Sequence, residues 1–265
     1  MKVLYFDCSS GITGNMAIGS LLDLGIDTND FLLEMNKLNL GGYSFCIEKE
    51  QVNETIGTRF EINISCCERP KNLSDVKELI MESGLCTVIK EKSIGIIHDI
   101  LKAEARVRNK GIDELDLSSR DFLHLLLEII GCLVCIKLLK IERVYSSLLY
   151  DGKGFADING SLFPVPMPVV LEMLKDAKIP VINHENENAL ITPAGLGLIK
   201  NLAVNFGNMP AFIIDCVGYG ISSKNEGRKN TLRAVLGDLY GTDELVMEEM
   251  AFMETSLEFA NCNTL

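Results

Sequence analysis

The residues best suited to chemistry stand directly after the first apolar run. Lys2 to Phe6 reads as a buried strand, and the loop Asp7-Cys8-Ser9-Ser10-Gly11-Ile12-Thr13-Gly14-Asn15 leads from it into a helix of small and apolar residues, Met16 to Leu24. A strand, a Ser/Gly/Thr-rich turn and a helix N-terminus together offer backbone N–H groups and a positive dipole end to an anion. Gly11 and Gly14 give the close approach that such a turn needs. No lysine follows, so the loop is not a P-loop, and it is not a dinucleotide fingerprint. Two readings stand side by side. In one, Ser10, Gly11, Thr13, Gly14 and Asn15 hold an anion or a metal–phosphate, with Asp7 as a metal donor; in the other, the segment is a tight strand–helix turn and nothing more.

A second set lies on an apolar run, Phe122 to Leu139. His124, Glu128 and Cys132 recur at helical spacing with Cys135 on the same stripe, which puts an imidazole, a carboxylate and thiols on one face. Such donors suit a nickel- or zinc-like ion. The alternative is a core helix, since cysteine is often buried and a single His or Glu is satisfied by a neighbour. Glu128 needs a partner on either account. Cys132 and Cys135 have CxxC spacing but sit inside this run, away from any turn that would expose a redox pair. Vicinal Cys66 and Cys67 fall on a polar turn and lack a nearby second ligand pair. His98 and His184 have no triad-like company. Lys153, in Gly152-Lys153-Gly154, and the cluster Arg228, Lys229 and Arg233 are candidate anion contacts or solvated cations.

The elements that must position these groups alternate between strand and helix. Asp27 or Thr28 caps a helix to about Leu38; Tyr43–Glu50 and Gly57–Ser65 alternate as paired strands; Leu73–Glu82 and Val88–Arg108 have helical spacing. Ser118 or Ser119 caps the long apolar helix to Lys140. Val144–Leu149 reads as a strand, Phe163–Pro168 as extended backbone before a helix Val169–Lys175, and Ile179–Ile182 as a short strand. Thr192-Pro193 is a cap with proline at the first helical position, opening a helix to about Val204. Ala211–Val217 and Leu232–Leu236 read as strands around a loop Gly218-Tyr219-Gly220. The class is α/β or α+β: a mixed sheet with flanking helices, one of them a long apolar central helix. Residues 1–239 form a single α/β region, and 240–265 the start of a further domain or a tail.

The composition narrows the partners. Lys and Arg total 25 against 37 Asp and Glu, a formal charge of −12, and there is no Trp. A chain this acidic repels nucleic acid and anionic membranes, so any phosphate site must be built locally. The N-terminus lacks a signal-peptide core, and nine cysteines are too few and too unpatterned for a disulfide scaffold. A cytoplasmic protein with reduced thiols is expected, and a homo-oligomer is compatible with the sequence.

Several segments taken in register resemble the nickel-insertion protein (LarC) family. They are YFDCSSGITGNMAIGSLLDLG, IERVYSS, GKGFADINGSLFPVPMP, ITPAGLGLIKNL and GYGISSKNEGRKNTLRAVLGDL, running from Met1 to about Leu239. The resemblance implies nickel binding and insertion of the metal into an anionic, sulfur-containing nucleotide, the pyridinium bisthiocarboxylic acid mononucleotide. It implies a chelatase of the lyase class, dependent on CTP with a divalent metal. The nucleotide requirement belongs to a C-terminal portion of which METSLEFANCNTL resembles the first residues, so a separately encoded C-terminal portion is an implied partner. The chain departs from the family's pattern at metal positions. Cys66-Cys67-Glu68-Arg69-Pro70 replaces a histidine-rich loop, and Asp116, Ser118 and Ser119 replace a His-x-His-Glu segment. His124 and Glu128 replace two aspartates, while Asn15 and Asn159 replace an aspartate and a histidine. With three histidines in the chain, imidazole clusters for nickel storage are excluded. The alternative to nickel insertion is a diverged, non-catalytic scaffold or regulatory partner of the family.

Overall fold

The computed structural model describes residues 1–52, 54–65, 70–158, 161–183, 190–222 and 230–240, with backbone only at 156–158 and 161. The opening run forms β1 (Lys2–Asp7), and its residues Val3, Leu4 and Phe6 are fully buried because the strand lies inside the sheet. Thr13 caps α1 (Gly14–Asp23) by accepting the Met16 N–H at 3.1 Å, and Asp27 caps α2 (Thr28–Asn36) by accepting the Asn29 N–H at 2.7 Å. The alternating stretch is an antiparallel pair, β2 (Tyr43–Val52) and β3 (Thr55–Ile64). Asn72 caps α3 (Leu73–Glu82), which precedes the long α4 (Thr87–Arg108). Ser119 caps α5 (Arg120–Leu138), its Oγ accepting the Phe122 N–H at 3.1 Å.

The second half runs β4 (Arg143–Ser146), β5 (Leu149–Asp151), β6 (Gly154–Ile158), β7 (Ser161–Val165), α6 (Pro168–Ala177), β8 (Val181–Asn183), α7 (Pro193–Leu202), β9 (Ala203–Phe206), β10 (Phe212–Ile221) and β11 (Thr231–Leu239). Seven strands make one mixed sheet in the order β2-β3-β10-β11-β1-β4-β9, with β5–β8 and β6–β7 as separate small pairs. β1 is antiparallel to β11 and parallel to β4. The chain is thus mixed α/β, as its alternation of elements predicts. α1 lies across β3, β10 and β11, and α5 packs against α1, α2, α4 and α7. Phe31 on α2 meets Phe45 and Phe60 of the β2–β3 pair at ring-centroid distances of 5.5 and 5.8 Å, which closes the core at that edge.

Three local expectations are corrected. Gly218-Tyr219-Gly220 is not a loop but the body of β10. A methyl group on Gly220 would lie 1.9 Å from the Met16 carbonyl oxygen, and one on Gly218 would lie 2.2 Å from that of Ser20. These glycines let α1 lie directly on the sheet, so they mark a close approach and not a turn. The helix after Thr192 ends at Leu202, two residues before Val204, and the chain turns into the edge strand β9, paired with β4. The strand read as Val144–Leu149 is two strands. Ser147 donates its N–H to the Phe6 carbonyl at 2.9 Å, after which Leu149–Asp151 leaves the main sheet to pair with β8. Among the described residues no helix is long and apolar enough to cross a membrane.

Candidate functional site at the head of the first helix

The loop after β1 is held from three sides. Asp7 stands opposite Arg233 of β11 and accepts its guanidinium, and its Oδ1 accepts the Ser9 N–H at 3.2 Å. Burial works to raise the Asp7 pKa, but the Ser9 and Arg233 hydrogen bonds outweigh it and hold the carboxyl below the usual range. The Cys8 N–H donates to Ser147 Oγ at 2.8 Å, and burial pushes the Cys8 thiol up to about 12, so it is no nucleophile at neutral pH. Gly11 has φ +85° and donates to the Cys8 carbonyl, while the Ile12 N–H donates to Leu190 O and Ile12 O accepts from the Thr192 N–H. A methyl group on Gly195 would lie 2.3 Å from the Ile12 carbonyl oxygen, so the heads of α1 and α7 lie side by side.

The anion at the head of α1 comes from within the chain. The Asn15 backbone N–H donates to the Glu128 carboxylate of α5, and a methyl group on Gly14 would sit 2.5 Å from Glu128 Cβ and 2.7 Å from Oε2. Gly14 is therefore required for Glu128 to reach the helix end. Glu128 keeps a partial opening to solvent, yet its surroundings push the carboxyl up to about 7, with the Asn15 N–H opposing that rise. The Asn15 Oδ1 atom is buried without a hydrogen-bond partner. Much of the expected backbone cradle is thus already spent: Gly11, Ile12, Asn15 and Met16 all have N–H partners, and Ser10 lies at the loop's partly exposed corner.

His124 lies one turn before Glu128 on α5, half-buried. Burial lowers its pKa, Asp121 opposes the shift and Arg120 adds to it, so the ring is neutral at pH 7 and able to coordinate. Cys132 and Cys135, further along, are fully buried; burial pushes Cys132 up to about 12 and Cys135 well above its ordinary value. They belong to the core and are not thiolate donors. Asp7, His124 and Glu128 do not assemble into one ligand set: among the described residues no three His, Cys, Asp or Glu stand close enough together to hold a metal ion.

Sequence reasoning missed Asp151. It is fully buried at the end of β5, and one oxygen accepts the N–H groups of Gly152 at 2.8 Å, Leu190 at 2.8 Å and Ile191 at 3.3 Å. Its other oxygen is buried and unpartnered, and burial raises its pKa against those hydrogen bonds. Leu190 carries the carbonyl that accepts from Ile12, so Asp151 fixes the strap on which the first loop rests. The only sequence signal was an acidic residue opening a glycine-rich turn. Nearby, a cleft of about 420 Å³ opens between α4, α5 and the head of α7, with Asp116, Asp121 and the ion pair Glu104–Arg108, at 2.6 Å, on its wall. Asp116 is held below the usual carboxylate range by the Ser118 side chain and backbone. Of the remaining candidates, His98 is exposed on α4. Cys66, Cys67, Glu68, Arg69, Asn159, His184, Arg228, Lys229 and residues 241–265 lie outside the described residues.

The chain is a mixed α/β protein in which a carboxyl of one helix, Glu128 of α5, meets the N-terminal end of another, α1. The chain belongs to the nickel insertion protein family, whose model matches residues 4–264. It is 39% identical over 272 residues to the pyridinium-3,5-bisthiocarboxylic acid mononucleotide nickel insertion protein of Acetivibrio thermocellus, covering 98% of this chain and 66% of that one. It is 36% identical to a putative nickel insertion protein of Dictyoglomus thermophilum, over 98% of this chain and 67% of that one. The protein of Lactiplantibacillus plantarum that carries the same name as the first is 32% identical over 89% of this chain and 61% of its own length. The chain spans about two thirds of the length of these relatives. No solved structure matches it.

Proposed function

We propose that this chain is the nickel- and substrate-handling portion of a protein that inserts nickel into the pyridinium bisthiocarboxylic acid mononucleotide, the compound named for its relatives in Acetivibrio thermocellus and Lactiplantibacillus plantarum. Residues 1–239 form the α/β region that carries the site, and 240–265 lead into a further portion that brings the CTP and divalent-metal requirement. Nickel is the cargo. Glu128 and His124 are its donors from α5, and the neighbouring cleft, where Asp116 and Asp121 stand beside the Glu104–Arg108 pair, keeps a net acidic charge that favours the cation. The Ser10 corner of the Ser10–Asn15 loop faces the anionic substrate, Asn15 Oδ1 is a further oxygen donor on the metal's side, and Asp7 serves once Arg233 turns from it to that substrate. The incomplete donor set has a chemical advantage, because the substrate's sulfur atoms supply the remaining ligands and draw the ion away by ligand exchange without redox change.

The observation that carries this reading is the juxtaposition of Glu128 with Gly14 and Asn15: a carboxyl with a pKa near 7, beside an unpartnered amide oxygen, at a helix end. Calorimetric titration with nickel at pH 8 tests it. Binding that fails in Glu128→Gln supports it, and no binding by the native chain overturns it. A second reading, a non-catalytic scaffold of the same family, draws on the closed Asp7–Arg233 pair and predicts that null titration.

A further inference from the structure

The far end of α5 carries a feature that nickel handling does not use. A cleft of about 620 Å³ opens between the head of α4, the last turn of α5, β4 and the edge strand β9. Its floor is aliphatic, built from Ile89, Leu133, Val144 and Leu202. Lys92, Lys137, Lys140 and Arg143 stand around it, against one acid, Glu142. Lys137 is paired with Glu34 at 3.1 Å, and Glu142 accepts the Lys2 N–H at 2.7 Å. Lys92, Lys140 and Arg143 are exposed and have no ion pair among the described residues, in a chain with 37 acids against 25 bases. Cations at the end of α5 suit its dipole, but Lys92 is on α4 and Arg143 on β4, so the dipole does not account for them. α4 also begins beside this cleft, without a side-chain cap at Cys86.

We propose that this cleft is a second ligand site, separate from the head of α1, that takes a phosphate-bearing ring compound of nucleotide size. The ring lies on the aliphatic floor, and the phosphate meets Lys92, Lys140 and Arg143. The volume falls in the range of small-molecule sites, and an apolar floor with a few convergent charges is their usual composition. Arginine and lysine together give a phosphate both forked and point-charge contacts.

Calorimetry with adenosine 5′-monophosphate, adenosine and inorganic phosphate as separate probes decides the matter. The monophosphate binds, adenosine and phosphate each bind at least about tenfold more weakly, and raising the salt from about 0.05 to 0.5 M weakens the monophosphate further. The double substitution Lys140→Glu, Arg143→Glu, at exposed positions, lowers its affinity by about tenfold or more. Phosphate or adenosine binding as tightly as the monophosphate, no binding of the monophosphate, indifference to salt, or an unchanged double variant each overturns the proposal. The nickel titration reads the head of α1 and this titration reads the far cleft, so each fails independently of the other.

Discussion

The two ends of α5 carry opposite charge. At its N-terminal end stand Asp116, Asp121 and Glu104 around a cleft with one base, Arg108, paired to Glu104, and His124 and Glu128 lie on the next turns of the helix. At its C-terminal end stand Lys137, Lys140, Arg143 and Lys92 around another. The helix dipole favours this polarity, with acids at the start and bases at the end, each such placement being worth about 0.3–1 kcal/mol at a surface. The dipole alone does not place Glu104, Lys92 or Arg143, which come from neighbouring elements. A net charge of −12 therefore describes neither end, and a function argued from the whole-chain charge holds only where the fold leaves that charge unsorted. The ends also differ in depth. Beyond the acidic end, two turns further along α5, a carboxylate is pressed against Gly14, while the basic end keeps its charges at the rim.

The largest break in the comparison comes from Asp151, which supports the first end only. Asp151→Ala leaves the buried N–H groups of Gly152, Leu190 and Ile191 without an acceptor and lowers stability by about 3 kcal/mol or more, read from urea denaturation; Asp151→Asn, which keeps an acceptor oxygen, recovers most of it. Next is nickel affinity: Glu128→Gln weakens it by about 100-fold at pH 8, since a lost ligand costs at least as much as a lost supporting group. In the native chain that affinity rises with pH through about 7, as the Glu128 proton leaves. A flat profile between pH 6 and 8 would remove Glu128 from the site.

The same proton has a stability consequence of about 3 kcal/mol. The folded-state pKa of Glu128 is raised from 4.5 to about 7, so the folded state holds a proton that the unfolded chain has released. Its contribution is fully present below pH 4.5, falls as pH rises to about 7, and is level above that. Denaturation midpoints of the native chain and Glu128→Gln should converge at low pH and separate above 7, with the variant more stable. Asp7→Asn has the smallest effect. Its partner Arg233 is about half exposed, so the loss at pH 7 is at most ~1 kcal/mol, and it vanishes in acid as the native carboxyl protonates below its depressed pKa.

Local chemistry made much of this protein legible. Asp27, Ser119 and Thr192 cap helices because a side-chain oxygen reaches an N–H two or three residues on, a relation that lies wholly within a short stretch of chain. The β2–β3 pair is legible for a similar reason, since alternation of side chains needs no distant partner. The site was legible only by residue type. Glu128 and Asn15 stood out as oxygen donors, but their meeting rests on a contact between residues far apart in sequence. Asp151 was legible only as an acid opening a glycine-rich turn, because its role is to satisfy backbone groups near Leu190, and backbone groups leave no mark in a sequence.

The order of amino acids determined most element types, the mixed α/β class and the membership of the family, since propensity, periodicity and shared segments are properties of the linear chain. Tertiary structure alone decided that two glycines of β10 lie beneath α1, that Glu128 occupies the head of that helix, and that opposite charges gather at the two ends of α5. Each of these depends on which surfaces meet, and close packing fixes that only when all the elements are in place.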